Sequence, residues 1–223
     1  MSAGTARAGV ESTSGSYRGP LRGVEGSVTP LEIDIYPPHE SGPSRTRPFV
    51  IELAATTATG PTPLAAFDHA LRRIGVGDVN LVRLSSVIPP GSIVAQRDRV
   101  YTEHAWGDRL YCVWAMAEAK VPGTTASAGI AWAFRQDGSD AGLFVEDEGS
   151  SPEAVEWTLT ATLEHMIAGR NIDFGPIESR IVTATCTDEP VCALVLASYQ
   201  SASWRSDAAV PAAAMALTDR VMS

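Results

Sequence analysis

The run Asn80-Leu-Val-Arg-Leu-Ser85-Ser86-Val-Ile-Pro-Pro90 reads as an apolar strand that ends in a serine pair and halts at two prolines. It sets a hydroxyl beside a peptide bond in a constrained bend. That arrangement suits attack of the Ser86 hydroxyl on the Ser85 carbonyl carbon, and strain at the bend would assist it. The resulting ester can eliminate to a dehydroalanine, which hydrolyses to a pyruvoyl group. A donor for the oxyanion would help the first step, and Asn80 carries the nearest side-chain amide in sequence. On local chemistry alone the pair also reads as a polar loop after a strand, where serine is common.

Working outward, residues 49–55 read as a strand. Thr62-Pro63 opens a helix, with Thr as N-cap and Pro in the first helical position. Leu64, Phe67, Leu71 and Ile74 recur at helical spacing, and Gly75 ends the helix. Residues 79–84 are the strand that reaches the serines. Residues 110–119 and 125–134 are long strand-like runs joined through Pro122-Gly123, and 142–146 follows the Asp137-Gly138 turn signal. A second helix spans 152–168, capped by Ser151, with Val155, Leu159, Leu163 and Met166 as its apolar stripe. Residues 180–187 and 191–199 read as a strand pair across Asp188-Glu189-Pro190. The order β-α-β, β-β-β, α, β-β predicts an α+β fold with a mixed or antiparallel sheet system.

A chain of 223 residues suits one substantial core. Residues 1–47 read as an N-terminal extension, partly disordered, in which Leu31, Ile33 and Ile35 alternate with Glu32 and Asp34. Residues 48–223 form the expected domain, with a weakly helical Ala-rich stretch at 210–221. A hydrophobic fraction of 44% and a charged fraction of 19% are those of a soluble globular protein. No apolar run approaches bilayer length, and the first residues hold no hydrophobic block, so the cytoplasm is the expected compartment. A net charge of −9 argues against a nucleic-acid partner. Cys112, Cys186 and Cys192 lie in apolar runs and read as buried free thiols. His39, His69, His104 and His165 are dispersed, and there is no metal-ligand spacing, P-loop or repeat. Gly75-Val-Gly77 leads into a strand, which excludes a dinucleotide fingerprint. Trp106, Trp114 and Trp132 read as core or interface aromatics.

The segment Gly75-Val-Gly77-Asp-Val-Asn80-Leu-Val-Arg-Leu-Ser-Ser-Val-Ile-Pro-Pro90 resembles the pyruvoyl-dependent arginine decarboxylases. Gly60-Pro-Thr-Pro-Leu64-Ala-Ala-Phe67-Asp68 continues the likeness upstream. Downstream it runs through Ala117-Glu118-Ala119, Pro122-Gly123, Ala128-Gly129-Ile130 and Gly142-Leu-Phe-Val-Glu146. The resemblance implies a four-layer αββα sandwich and self-cleavage between Ser85 and Ser86. It implies a β chain ending at Ser85 and an α chain beginning at Ser86, whose residue becomes a covalent pyruvoyl group. That group would take the amine of a small amino acid as a Schiff base and release carbon dioxide, turning L-arginine into agmatine. By the same resemblance Glu146 returns the proton, and Asp68 binds the cationic end of the substrate. Leu64, Gly77 and Val79 line the site, and αβ units share sites in a trimer or hexamer. In this reading cleavage draws on Ser86 and its neighbours, and Glu146 acts only afterwards.

Other readings stay open at the level of residues. Glu146 also reads as the first of a solvated acidic cluster with Asp147 and Glu148, and Asp68 as an exposed helical carboxylate. The same chemistry on another amino acid, a non-catalytic partner subunit, and a hydrolase using the freed Ser86 hydroxyl are the competing functions.

Overall fold

The computed structural model describes residues 47–204. The expected extension before residue 47 and the Ala-rich stretch at 210–221 lie outside the described residues. The chain runs β1 (Phe49–Thr59), α1 (Pro63–Arg73), β2 (Asn80–Arg83), β3 (Val87–Ile88), β4 (Ser92–Arg97) and β5 (Arg109–Ala119). It continues through β6 (Thr125–Phe134), β7 (Gly142–Gly149), α2 (Pro152–Ala168), β8 (Glu178–Thr185) and β9 (Val191–Ala202). The class is α+β, mostly sheet with two helices.

Both helices begin as their residues dictate. The Thr62 hydroxyl accepts from the Ala65 N–H at 3.1 Å, and the Ser151 hydroxyl from the Ala154 N–H at 3.3 Å. Each cap stabilises its helix by roughly 1 kcal/mol. α1 closes at Ile74, and Gly75 follows at φ +83°, a conformation costly for any side chain.

The strands form two sheets. One is mixed, in the order β2-β5-β9-β1-β4; the other is antiparallel, in the order β3-β7-β6-β8. Three apolar clusters account for the burial. Ile51, Val113, Val195 and Tyr199 of the first sheet pack with Ile130, Trp132 and Phe144 of the second. Ala54, Leu110, Leu194 and Leu196 present the other face of the first sheet to Ala66 and Ala70 of α1. Ala131, Leu143 and Val145 of the second sheet meet Val155, Leu159 and Leu163 of α2. Gly129 lets α2 come close: a Cβ there would stand 2.9 Å from the Leu159 side chain.

The structure differs from the sequence reading at four places, the first being β3, an unexpected two-residue strand after the serines that pairs antiparallel with β7. β4 was not expected; it pairs in parallel with β1, Phe49 opposite Ser92 through Ala54 opposite Arg97. β7 runs on to Gly149, three residues past the expected end. β8 and β9 do not pair with each other across Asp188-Glu189-Pro190. β8 pairs with β6, and β9 lies between β5 and β1 in the other sheet. The Pro190 turn therefore carries the chain between sheets, because both strands find longer partners elsewhere.

Candidate active site

The serine pair sits where the chain changes sheets. On one side the Leu84 N–H still donates to the Cys112 carbonyl of the first sheet at 3.0 Å. On the other, the Ser86 carbonyl accepts from the Phe144 N–H of the second sheet at 2.8 Å. Two residues must make the crossing, and Ser86 does so at φ +64°, in the left-handed region. For an L-residue that conformation costs roughly 1–2 kcal/mol. The bend is pinned further along, where the Ser92 hydroxyl donates to the Pro89 carbonyl at 2.6 Å.

Ser86 Oγ donates to Glu146 Oε2 at 2.6 Å, the length of a hydrogen bond to an ionised carboxylate. Glu146 stands opposite Ile130 on β7, two residues beyond Phe144 on the same strand face. Alternation along the strand sends Asp147 to the other face with Val145. The three acidic residues are therefore not one cluster, and only Glu146 touches the serine.

Sequence reasoning missed Tyr199. The residue is 7% exposed, and its phenol donates to the Val87 carbonyl at 3.0 Å, one residue past Ser86. Its ring lies edge-on to Phe144 with centroids 6.2 Å apart. Burial, then the nearby Glu146 charge, push its hydroxyl well above the ordinary phenol range. The signal was present: a buried tyrosine in an apolar strand needs a partner for its hydroxyl.

The other residues singled out from the sequence gather elsewhere. Leu64, Asp68 and Arg72 form one stripe of α1, spaced four apart, and all three are exposed. Arg72 Nε donates to Asp68 Oδ2 at 2.9 Å. Gly77 abuts this pair: a Cβ on it would stand 2.3 Å from Arg72 Cγ. Val79 packs partly buried against the α1 cluster. Asn80 is exposed; its Nδ2 donates to the Gly107 carbonyl at 2.7 Å, and its backbone N–H to Asp108 at 2.7 Å. Along an extended strand Asn80 lies roughly 16 Å from Ser85. Within one chain, then, Ser86 and Glu146 meet on the inter-sheet side. Leu64, Asp68, Gly77 and Val79 are grouped around α1 and the segment after it, on the other face of the first sheet, and Asn80 begins β2 at the edge of that sheet.

Glu52 was also missed. Buried on β1, its Oε2 accepts from the Tyr101 N–H (2.9 Å), the Thr102 N–H (2.8 Å) and the Thr102 hydroxyl (2.9 Å). It fixes the loop that carries Gly107 to Asn80. A lone Glu in Phe-Val-Ile-Glu-Leu-Ala-Ala was its sequence signature.

The three cysteines are buried and unpaired, as expected. Burial pushes the Cys112 and Cys192 thiols up to about 12. Trp132 is core and Trp114 lies under the Arg83 guanidinium at 4.1 Å, whereas Trp106 is 84% exposed.

Comparison with known proteins gives one answer. The family model "Pyruvoyl-dependent arginine decarboxylase" matches residues 50–203. A protein of that name from Methanocaldococcus jannaschii is 34% identical over 139 residues, 62% of this chain and 82% of the relative. One from Thermococcus sibiricus is 33% identical over 152 residues, 68% of this chain and 94% of its own. One from Halobacterium salinarum is 36% identical over 155 residues, covering 67% and 92%.

Proposed function

The chain belongs to the pyruvoyl-dependent arginine decarboxylase family, and from that premise we propose that it cuts itself at Ser85–Ser86 and decarboxylates L-arginine to agmatine. It is a carboxy-lyase whose prosthetic group is a covalent pyruvoyl. The observation that carries the residue assignment is the 2.6 Å bond from the Ser86 hydroxyl to Glu146, at a residue held in a left-handed conformation.

The residues present fit a group made at Ser86. Glu146 is in place to take the Ser86 hydroxyl proton as Oγ adds to the Ser85 carbonyl carbon. The peptide C–N bond breaks, the Ser85 acyl group passes to Oγ, and the Ser86 nitrogen becomes a free amine. Loss of the Ser86 α-hydrogen then expels Ser85 as a carboxylate. One water replaces the nitrogen, which leaves as ammonia. The strained φ torsion is rotation about that N–Cα bond, so it ceases to exist when the nitrogen departs. Strain present before cleavage and absent after it favours the reaction.

When formed, the pyruvoyl group supplies a carbonyl that takes up the substrate amine and withdraws the electrons left as carbon dioxide departs. Phe144 and Tyr199 hold the first two carbonyls of the α chain, which keeps that end oriented. Glu146, freed of the serine hydroxyl, returns a proton to the former α-carbon of the substrate.

Asp68, Leu64, Gly77 and Val79 enter as the substrate's side-chain subsite, and Asn80 as the oxyanion donor. Asp68, Leu64, Gly77 and Val79 lie on the α1 side of the first sheet, away from Ser86 of their own chain, and in this reading the group serves the Ser86 of a neighbouring copy. This supports a trimer or hexamer of αβ units. The domain is then residues 48–223, divided into a β chain ending at Ser85 and an α chain beginning at Ser86. Three apolar clusters in succession support a four-layer αββα sandwich. No helix among the described residues is long and apolar enough to cross a membrane. Three unpaired thiols suit a cytoplasmic setting.

Mass spectrometry of the purified protein tests the reading. Two chains are expected, residues 1–85 and 86–223, the second one ammonia lighter than a serine-started fragment. Incubation with arginine should release carbon dioxide and agmatine. An uncut chain after long incubation, or a free N-terminal serine, overturns it.

A further inference from the structure

The carboxylate assigned to the substrate's cationic end is already held by a guanidinium from its own helix. We propose that Arg72 is a built-in competitor of arginine at Asp68, which the substrate must displace, and that it sets the affinity of this site. The inference rests on the arginine reading above and concerns a residue that reading leaves unused.

Three observations place Arg72 at the subsite rather than merely beside it. Its Nε donates to Asp68 Oδ2 at 2.9 Å, the bond a substrate guanidinium would make. Its stem lies on Gly77, where an added Cβ would come within 2.3 Å of Arg72 Cγ. A bare glycine therefore gives Arg72 its place between two of the assigned substrate contacts. Finally, Arg72 lines a cavity of about 640 Å³ together with Gly75, Gly77, Asp78, Arg99 and Glu103. A displaced Arg72 has room there and two carboxylates to turn to, while Arg99 is stacked over the Tyr101 ring.

The pair is breakable. Its side chains are 61% and 54% exposed, for Arg72 and Asp68 respectively. An exposed pair four residues apart on a helix holds its partners by only about a factor of two. Covering by a neighbouring copy would reduce screening and raise that factor, so the expected range is about twofold to tenfold.

Arg72→Leu should therefore lower the KM for arginine by about twofold to tenfold with kcat unchanged. It should leave the KM for an uncharged amino acid where it was. Arg72→Lys should fall between, since a lysine contacts a carboxylate as a point charge. Binding of agmatine by calorimetry to uncut Ser86→Ala protein should tighten by the same factor in Arg72→Leu, without any turnover. In an Asp68→Asn background the same change should do nothing, because the competition is for Asp68. Weaker or unchanged agmatine binding in Arg72→Leu overturns the proposal, as does equal tightening in the Asp68→Asn background. If cleaved wild type fails to turn over arginine, the substrate reading falls, and the agmatine measurements still decide the role of Arg72.

Discussion

Replacing Glu146 by Gln should slow both cleavage and decarboxylation, by different amounts. The side chain keeps its size and can still accept from Ser86 Oγ, which lies 2.6 Å from the carboxylate. What is lost is charge and basicity. Hydrogen bonds to an ionised acceptor are roughly twice as strong as neutral ones, a difference of about 1.4 kcal/mol, or about tenfold in rate. Losing a base that takes the hydroxyl proton adds to this, so cleavage should fall by about 10–10². Decarboxylation by molecules that do cleave should fall by about 10²–10⁴, since Gln has no acid proton to return. The assay follows uncut chain by electrophoresis after a pulse of synthesis, and carbon dioxide release per blocked α chain. Cleavage at the wild-type rate would show that the hydroxyl proton goes elsewhere and would refute the shared role. Undiminished turnover would refute the proton donor.

Asn80→Ala should slow cleavage by about 10²–10³, and co-expression with uncleavable Ser86→Ala chains should restore cleavage of the Asn80→Ala chains. No rescue would mean that Asn80 acts within its own chain. Tyr199→Phe keeps the ring but leaves the Val87 carbonyl without its donor, at a cost of roughly 1–3 kcal/mol. It should lower kcat with little change in KM; a drop in Tm alone would make Tyr199 merely structural. Cys112 and Cys192 are raised from 9 to about 12 in the folded state. The stability they contribute is fully present below pH 9 and is lost as pH rises from 9 towards about 12. Denaturant titrations at pH 8 and 10.5 should show a smaller fall in the Cys112→Ala, Cys192→Ala double variant; an identical fall would contradict this.

Legibility followed locality. Thr62-Pro63 and Ser151-Pro152 announced their helices because a cap and a first-turn proline act within four residues. β4 was invisible because Ser-Ile-Val-Ala-Gln-Arg does not alternate apolar with polar residues, and its pairing with β1 joins residues more than forty apart. Asp188-Glu189-Pro190 looked like a hairpin because nothing in a turn states which sheet its strands will join. At the site, the serine pair and Glu146 were legible through resemblance, and their contact across 60 residues was not. Tyr199 and Glu52 were readable as lone polar groups in apolar strands. Arg72 escaped notice because an Asp and an Arg four apart look like any solvated helix pair until Gly77 is placed against them.

The strand order of the mixed sheet decides what kind of product the proposed self-cleavage would leave. β1 and β2 precede Ser86, while β5, β9 and β4 follow it, and the two sets interleave in the order β2-β5-β9-β1-β4. After the cut, β1 is clasped on both edges by strands of the other chain. The two pieces cannot drift apart without unravelling the sheet, so the break changes connectivity and leaves the shape intact. It also removes the tether that brought β1 to its slot between β9 and β4. An uncut precursor can search for that arrangement as one molecule; separated chains must find each other first, at a rate set by their concentration. If the chain is cut at Ser85–Ser86 as proposed, folding must precede the cut, and a cleaved enzyme once melted would have lost the covalent instructions for its own reassembly.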